Sequence, residues 1–80
     1  MKEVKFNTPD GDKKYRYAVA VEYVDGSITN IYQVGKVNQN GTPVSREVSA
    51  IKDIMSSPNY NGVTITFIPY NSSIEPINYQ

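Results

Sequence analysis

Few side chains in this sequence have the types and spacing that chemistry would need. Asp10 and Asp12 flank Gly11, and an Asp-x-Asp pair is how many calcium loops begin. The further acidic ligands of such a loop do not follow at the required spacing. The glycines are scattered among turn-like stretches and form no phosphate-binding loop. The sequence therefore predicts neither a metal site nor a cofactor.

Catalytic groups are equally sparse. The chain has no histidine and no cysteine, which removes the commonest general base and the thiolate nucleophile. A serine nucleophile would then need a lysine or another base beside it, and no motif places one there. The carboxylates of Glu22 and Glu47 are expected in solvent rather than paired for acid–base work. We expect that the protein is not an enzyme.

Length and charge exclude further classes. Eighty residues form one domain, and eight basic residues balance eight acidic ones. A neutral chain lacks the electrostatic footprint of a nonspecific DNA binder. No stretch approaches the ~20 apolar residues of a membrane span, and the N-terminus has no apolar signal region. With no cysteine to form disulfides, we expect a soluble cytoplasmic protein without a membrane partner.

The element that must organise the fold is a hairpin over residues 14–37, folded at Asp25-Gly26. Asp-Gly between alternating apolar runs is a strong signal for a two-residue type I′ turn. That turn length pairs Val24 with Ser27 and Val21 with Asn30. The bulkier face is then predicted to be the core face, and it consists of Tyr15, Tyr17, Val19, Val21 and Tyr23 with Ile28, Tyr32 and Val34.

An amphipathic helix is predicted from about Pro43 or Ser45 to about Ser56. Thr42 is expected as its N-cap, and proline is well tolerated at the first helical position. Apolar residues follow at helical spacing, whereas Lys52 and Asp53 are predicted to point outward. The predicted buried stripe is Val44, Val48, Ile51, Ile54 and Met55. The competing interpretation makes residues 42–46 a returning strand after Asn40-Gly41.

Two further strands complete the predicted fold, one at residues 3–7 and one at residues 63–70. The fold class is α+β: a small, mostly antiparallel sheet, made of the central hairpin with an N-terminal and a C-terminal strand, covered by one α-helix. Residues 1–70 are predicted to form this single domain, and residues 71–80 an extended C-terminal arm.

The last third of the chain carries the main functional hypothesis. From Ile54 to Gln80 the only charged residue is Glu75, and Tyr, Asn and Ser are abundant. Such a composition is typical of protein-binding surfaces, although a low-GC genome would enrich the same residues. The predicted partner-binding residues are Tyr60, Tyr70, Asn71, Ile77 and Tyr79, with a second copy of the chain as an alternative partner.

Nucleic acid is the alternative ligand. Tyrosines on a sheet can stack on the bases of a single strand, and Lys14, Arg16 and Lys36 can meet phosphates. The tyrosines, however, fall on the predicted core face, and the basic residues form no contiguous run.

The order of elements also resembles that of a known class of proteins. A short hairpin, one helix, the loop Ser57-Pro58-Asn59-Tyr60 and a strand with Phe67-Ile68-Pro69 are similar to the layout of some small phage anti-CRISPR proteins. The likeness covers residues 15–70 in the order of elements, and it carries over no site residue. It implies a phage or mobile-element protein that binds and blocks a host defence complex without catalysis.

Overall fold

The computed structural model describes residues 2–80, and the side chains of all of these except Lys2 and Val19. In chain order the elements are β1 (Lys2–Asn7), β2 (Tyr15–Val24), β3 (Ser27–Gly35), α1 (Ser45–Ser56), β4 (Ile65–Pro69) and β5 (Ile77–Tyr79). The predicted α+β class is confirmed.

The five strands form one sheet in the order β1-β2-β3-β4-β5. Strands β3 and β4 run parallel, whereas the other three neighbouring pairs are antiparallel. The sheet is therefore mixed. Parallel neighbours need a long crossover connection, and α1 with its flanking segments provides it.

The predicted turn between β2 and β3 is confirmed. Asp25 and Gly26 both have positive φ, at 52° and 81°, as a type I′ turn requires. Val24 pairs with Ser27 and Tyr23 with Ile28, in the predicted register.

One step further from the turn, the register changes. Val21 lies opposite Ile31 rather than the predicted Asn30, because β3 carries one extra residue after Ile28. A one-residue shift moves every later side chain of a strand to the other face. Ile31, predicted on the outer face, is therefore fully buried.

A second irregularity lies in β2, where it pairs with β1. Lys2 lies opposite Val21 but Val4 lies opposite Ala18, so β2 has one residue more than β1 in this interval. Ala18, also predicted on the outer face, is fully buried as a result. The predicted core face of the hairpin is wrong at Tyr15, Tyr17 and Val34, which are about half exposed, and at Tyr23, which is 38% exposed.

The helix runs from Ser45 to Ser56, as predicted. Val44 is its N-cap and no side chain caps it, so the prediction of Thr42 as the N-cap is wrong. The Thr42 hydroxyl donates instead to Asn40 Oδ1 at 2.7 Å. Of the alternative strand over residues 42–46, only Pro43 pairs, in an isolated bridge with Val37.

The core lies between α1 and one face of the sheet, which we call the covered face. Ile51 and Ile54 of the helix are buried there, as predicted, but Asp53 is buried with them rather than pointing outward. The sheet and its flanks contribute Phe6, Ala18, Val21, Ile31, Val37, Ile65 and Phe67.

The C-terminal residues extend the sheet. Ile77–Tyr79 form β5 and pair with β4, Ile77 opposite Phe67 and Tyr79 opposite Ile65. Strand β4 itself is shorter than the predicted strand over residues 63–70 and ends at Pro69. No helix among residues 2–80 is long and apolar enough to cross a membrane.

Candidate functional site

The face of the sheet opposite α1 carries exposed aromatic and aliphatic side chains, and no helix of residues 2–80 lies over it. Tyr15, Tyr17 and Val34 are 51%, 49% and 53% exposed. Side-chain alternation adds the half-buried Tyr32 and Ile68, and Tyr70 follows β4 with 63% exposure. We call the surface formed by Lys5, Tyr15, Tyr17, Tyr32, Val34, Ile68 and Tyr70 the open face.

Neighbouring side chains on the open face contact one another. The rings of Tyr15 and Tyr17 meet edge to face, with centroids 5.6 Å apart and planes at 82°. The ammonium of Lys5 lies 4.7 Å from the centroid of the Tyr15 ring. Lys5 is also the pairing partner of Tyr17, and Val34 that of Ile68. The open face therefore carries two groups of aromatic and aliphatic side chains, one on β1 and β2 and one on β3 and β4.

A cleft interrupts the sheet beside these tyrosines. Among the described residues, the pairing of β2 with β3 runs from the turn only as far as Ala20 opposite Tyr32. Tyr15 to Ala18 pair with β1, and the described pairs of β2 with β3 include none of them. A cavity of about 310 Å³ opens at this point, with Tyr15, Arg16 and Tyr17 on one side and Gln33 on the other.

The floor of the cleft is one side of α1, from Arg46 to Ile54. Ala50 and Ile54 supply apolar surface, and Arg46 and Glu47 supply charge. Gln33 Nε2 donates to Glu47 Oε1 at 3.3 Å, so the glutamate carboxylate is held over β3. Gly35 leaves it room, because a β carbon there would collide with the Glu47 carboxylate and the Phe67 ring.

Behind the cleft, Asp53 holds the loop between β1 and β2 against the helix. Its carboxylate accepts hydrogen bonds from the backbone N–H groups of Asp12 and Lys13, at 3.0 and 3.1 Å. Arg16 Nε donates to Asp53 Oδ2 at 2.8 Å, in an ion pair whose side chains are 19% and 6% exposed. Arg16 and the hydroxyl of Ser49 also interact, and Ser49 contacts the Asp12 carboxylate.

These contacts set the charge state of Asp53. Burial alone raises the pKa of its carboxyl, but the hydrogen bonds from Asp12, Arg16 and Lys13 outweigh burial, and the pKa lies below its ordinary value of 3.8. Asp53 is thus a structural anion at neutral pH. It fixes Arg16, and through it the strand that bears Tyr15 and Tyr17.

Of the predicted partner-binding residues, Tyr70 and Asn71 lie just after β4. Tyr70 is prominently exposed at the margin of the open face. The Asn71 amide is occupied by the backbone of Val37, whose N–H donates to it at 2.9 Å and whose C=O accepts from it at 3.0 Å. Asn71 therefore ties the end of β4 to the segment that follows β3.

Tyr60, Ile77 and Tyr79 lie elsewhere, packed against the core. The hydroxyl of Tyr60 donates to the Val63 C=O at 2.6 Å, and burial raises the pKa of this phenol. The structure thus does not gather the five predicted residues into one patch. Binding through them stays a prediction, and Tyr70 alone belongs to the open face.

The residues of the open face are recognisable in the sequence as bulky strand residues, but the sequence predicts them on the core face of the sheet. The sequence predicts Tyr15, Tyr17 and Val34 in the core, because the bulges that turn them outward have no glycine or proline at the bulged positions. It predicts Asp53 in solvent, because the partners of Asp53 lie 37–41 residues away in the chain.

A second cavity is larger than the cleft. A cavity of about 540 Å³ lies between Lys36, Asn38, Gln39 and Ser72, at the carboxyl ends of the parallel strands. Within residues 2–80, no group of three or more His, Cys, Asp or Glu side chains is placed to hold a metal ion.

No protein-family model, curated protein or solved structure matches this chain.

Proposed function

We propose that this chain is a small, non-enzymatic protein-binding module that docks through the open face. The observation that carries the proposal is the half exposure of Tyr15, Tyr17 and Val34 on one bare sheet face. Contiguous exposed apolar surface marks interaction sites, and tyrosine is enriched at the centres of protein interfaces.

Composition supports a protein partner over a nucleic acid. Lys5 is the one cation of the open face as defined, and its ammonium already lies against the Tyr15 ring. The chain as a whole is neutral, whereas nucleic-acid binding draws most of its affinity from excess positive charge. Rigid tyrosine side chains lose little conformational entropy when a protein surface covers them.

The partner that we propose is a host or bacterial protein complex, blocked by a phage or mobile-element inhibitor acting in the cytoplasm. The support is the order of elements, which resembles that of small anti-CRISPR proteins, and the absence of cysteine, which suits a reducing compartment. A second copy of the chain is the alternative occupant of the same face.

A double substitution tests the proposal. Immobilised wild-type chain and the Tyr15→Ser, Tyr17→Ser variant are compared in capture from a bacterial lysate treated with nuclease. We expect the variant to lose the proteins that the wild type retains, while its melting temperature changes little because both side chains are half exposed.

The matched control is Ile74→Ser, which removes an apolar side chain of 39% exposure outside the sheet. Its capture pattern should equal that of the wild type. Equal capture by the tyrosine variant would contradict docking through the open face.

Single-stranded nucleic acid is the second candidate, favoured by tyrosine rings on an exposed sheet face beside a lysine. Fluorescence anisotropy with labelled single-stranded oligonucleotides tests it. Binding that weakens steeply with salt and is lost in the Tyr15→Ser, Tyr17→Ser variant would replace the protein-binding proposal.

A further inference from the structure

We propose that the cleft between β2 and β3 accepts an extended segment of the partner protein, which adds a strand to the sheet at this point. This inference rests on the proposed function, because it specifies how the partner engages the same surface. Its argument begins with the direction of the backbone groups on the two sides of the cleft.

On the β2 side, the residues that bond to β1 are known. The Thr8 N–H donates to the Lys14 C=O at 2.9 Å, and the same ladder continues through Arg16 and Ala18. Alternate residues of an antiparallel strand bond to the same neighbour. Tyr15 and Tyr17 therefore direct their N–H and C=O groups away from β1, into the cleft.

On the β3 side, the same reasoning applies to the parallel ladder. The Ile31 N–H donates to the Thr64 C=O at 3.1 Å, and the Gly35 C=O accepts from the Tyr70 N–H at 3.0 Å. Ile31 and Gly35 therefore bond to β4. Val34, which precedes Gly35, directs its backbone groups toward β2 and the cleft.

The backbone groups of Tyr15, Tyr17 and Val34 thus point into the cleft without ladder pairing, since the β2–β3 pairs of the described residues include none of these three. Backbone donors and acceptors at a sheet edge are a template for another extended chain. An added strand satisfies them with its own N–H and C=O groups, which is the recognition mode of strand addition.

The floor of the cleft specifies the side chains of the added segment. The apolar side chains of Ala50 and Ile54 line this space of about 310 Å³. Among the described residues the only ion pair is Arg16–Asp53, so the guanidinium of Arg46 at the rim has no carboxylate partner. The fitting segment carries an apolar side chain next to an acidic one.

Amide hydrogen exchange followed by NMR tests the free protein first. The amides of Tyr17 and Val34 should exchange at least about tenfold faster than those of Ala18 and Ile31, which bond within the sheet. Equal protection of the four amides would mean that the cleft is closed in solution, and would overturn the inference.

The binding probe is a ten-residue random peptide library displayed on phage. We expect selected peptides to be extended, to pair an apolar with an acidic residue, and to protect the amides of Tyr15, Tyr17 and Val34 at least about tenfold. A library that yields no binder, or binders that leave these amides unprotected, would overturn strand addition.

A pair of charge variants gives the specificity control. Arg46→Ala should weaken the selected peptides about threefold, as expected for an exposed charge pair. Lys52→Ala removes an equal charge from an exposed position of the same helix that does not line the cleft, and should leave their affinity unchanged. Equal effects of the two substitutions would contradict the assigned role of Arg46.

The inference and the proposed function fail in distinguishable ways. If lysate proteins require Tyr15 and Tyr17 but leave the cleft amides unprotected when bound, the open face docks a partner and strand addition is wrong. If the cleft amides become protected as the protein is concentrated without peptide, the occupant is a second copy rather than a partner segment. If no protein depends on the tyrosines, the proposed function fails first.

Discussion

The two faces of the sheet carry similar apolar side chains and have opposite environments. On the covered face, Phe67 and Ile31 are fully buried beneath α1. On the open face, Tyr17 and Val34 are about half exposed, although Tyr17 directly precedes the buried Ala18 and Val34 follows Ile31 by three residues. Residue type alone therefore does not decide which face of a short sheet becomes core; the bulges that set the strand registers decide it.

The largest difference between the faces should appear when one aromatic ring is removed from each. Phe67→Ala deletes a fully buried ring and should lower the free energy of unfolding by about 4 kcal/mol. Tyr70→Ala deletes a ring with 63% exposure and should cost about 0.5 kcal/mol. Urea denaturation measures both, and similar losses at the two positions would mean that the open face is also core.

The second largest effect is expected for the buried carboxylate of Asp53. Asp53→Asn removes the anion that accepts from Arg16 and from two backbone N–H groups, and should cost about 3 kcal/mol. Asp10→Asn, at an exposed position of the same loop, is the matched control and should cost about 0.5 kcal/mol or less. If Asp53→Asn leaves the free energy of unfolding unchanged, the loop is held by other contacts.

The same carboxylate predicts how stability depends on pH. Its pKa in the folded protein is lowered, so its contribution is fully present above the ordinary pKa of 3.8 and is lost as the pH falls through the folded value. Urea midpoints measured from pH 6 down to pH 2.5 should therefore fall more in the wild type than in Asp53→Asn. Parallel curves would assign the acid sensitivity to other carboxylates.

The smallest effect is expected for the charge of the open face. Lys5→Met removes the ammonium that lies 4.7 Å from the Tyr15 ring centroid, and should cost about 0.5 kcal/mol. The measured loss should vanish in a Tyr15→Ser background, since the interaction then has no ring. A loss that persists there would point to a different contact of Lys5.

The sequence predicted the local features of this fold and missed the distant ones. The Asp25-Gly26 turn and the helix from Ser45 to Ser56 follow from propensities within a few residues, and both are confirmed. The faces of the hairpin depend on two bulges, and neither Thr29 nor Ala20 carries a bulge signature such as glycine. One extra residue was enough to exchange core and surface.

The candidate site was hidden for the same reason. Among the described residues, β2 pairs with β3 only from Val24 to Ala20, and no pattern within β2 predicts where this pairing ends. The role of Asp53 depends on Arg16 and on a loop far from it in the chain. By contrast, the uncharged composition that pointed to residues 56–80 reflects, at Tyr60, Ile77 and Tyr79, packing against the core.

The parallel pairing of β3 with β4 has a consequence for the order of folding. The hairpin joins residues that are close in sequence, and such hairpins form within microseconds. Pairing Ile31 with Ile65 must instead close a loop that contains the whole helix, and such long-range contacts form late. We therefore expect a chain emerging from the ribosome to hold a formed hairpin whose Ile31 stays bare until Ile65–Pro69 is released, so that nascent chains truncated before β4 should bind chaperones.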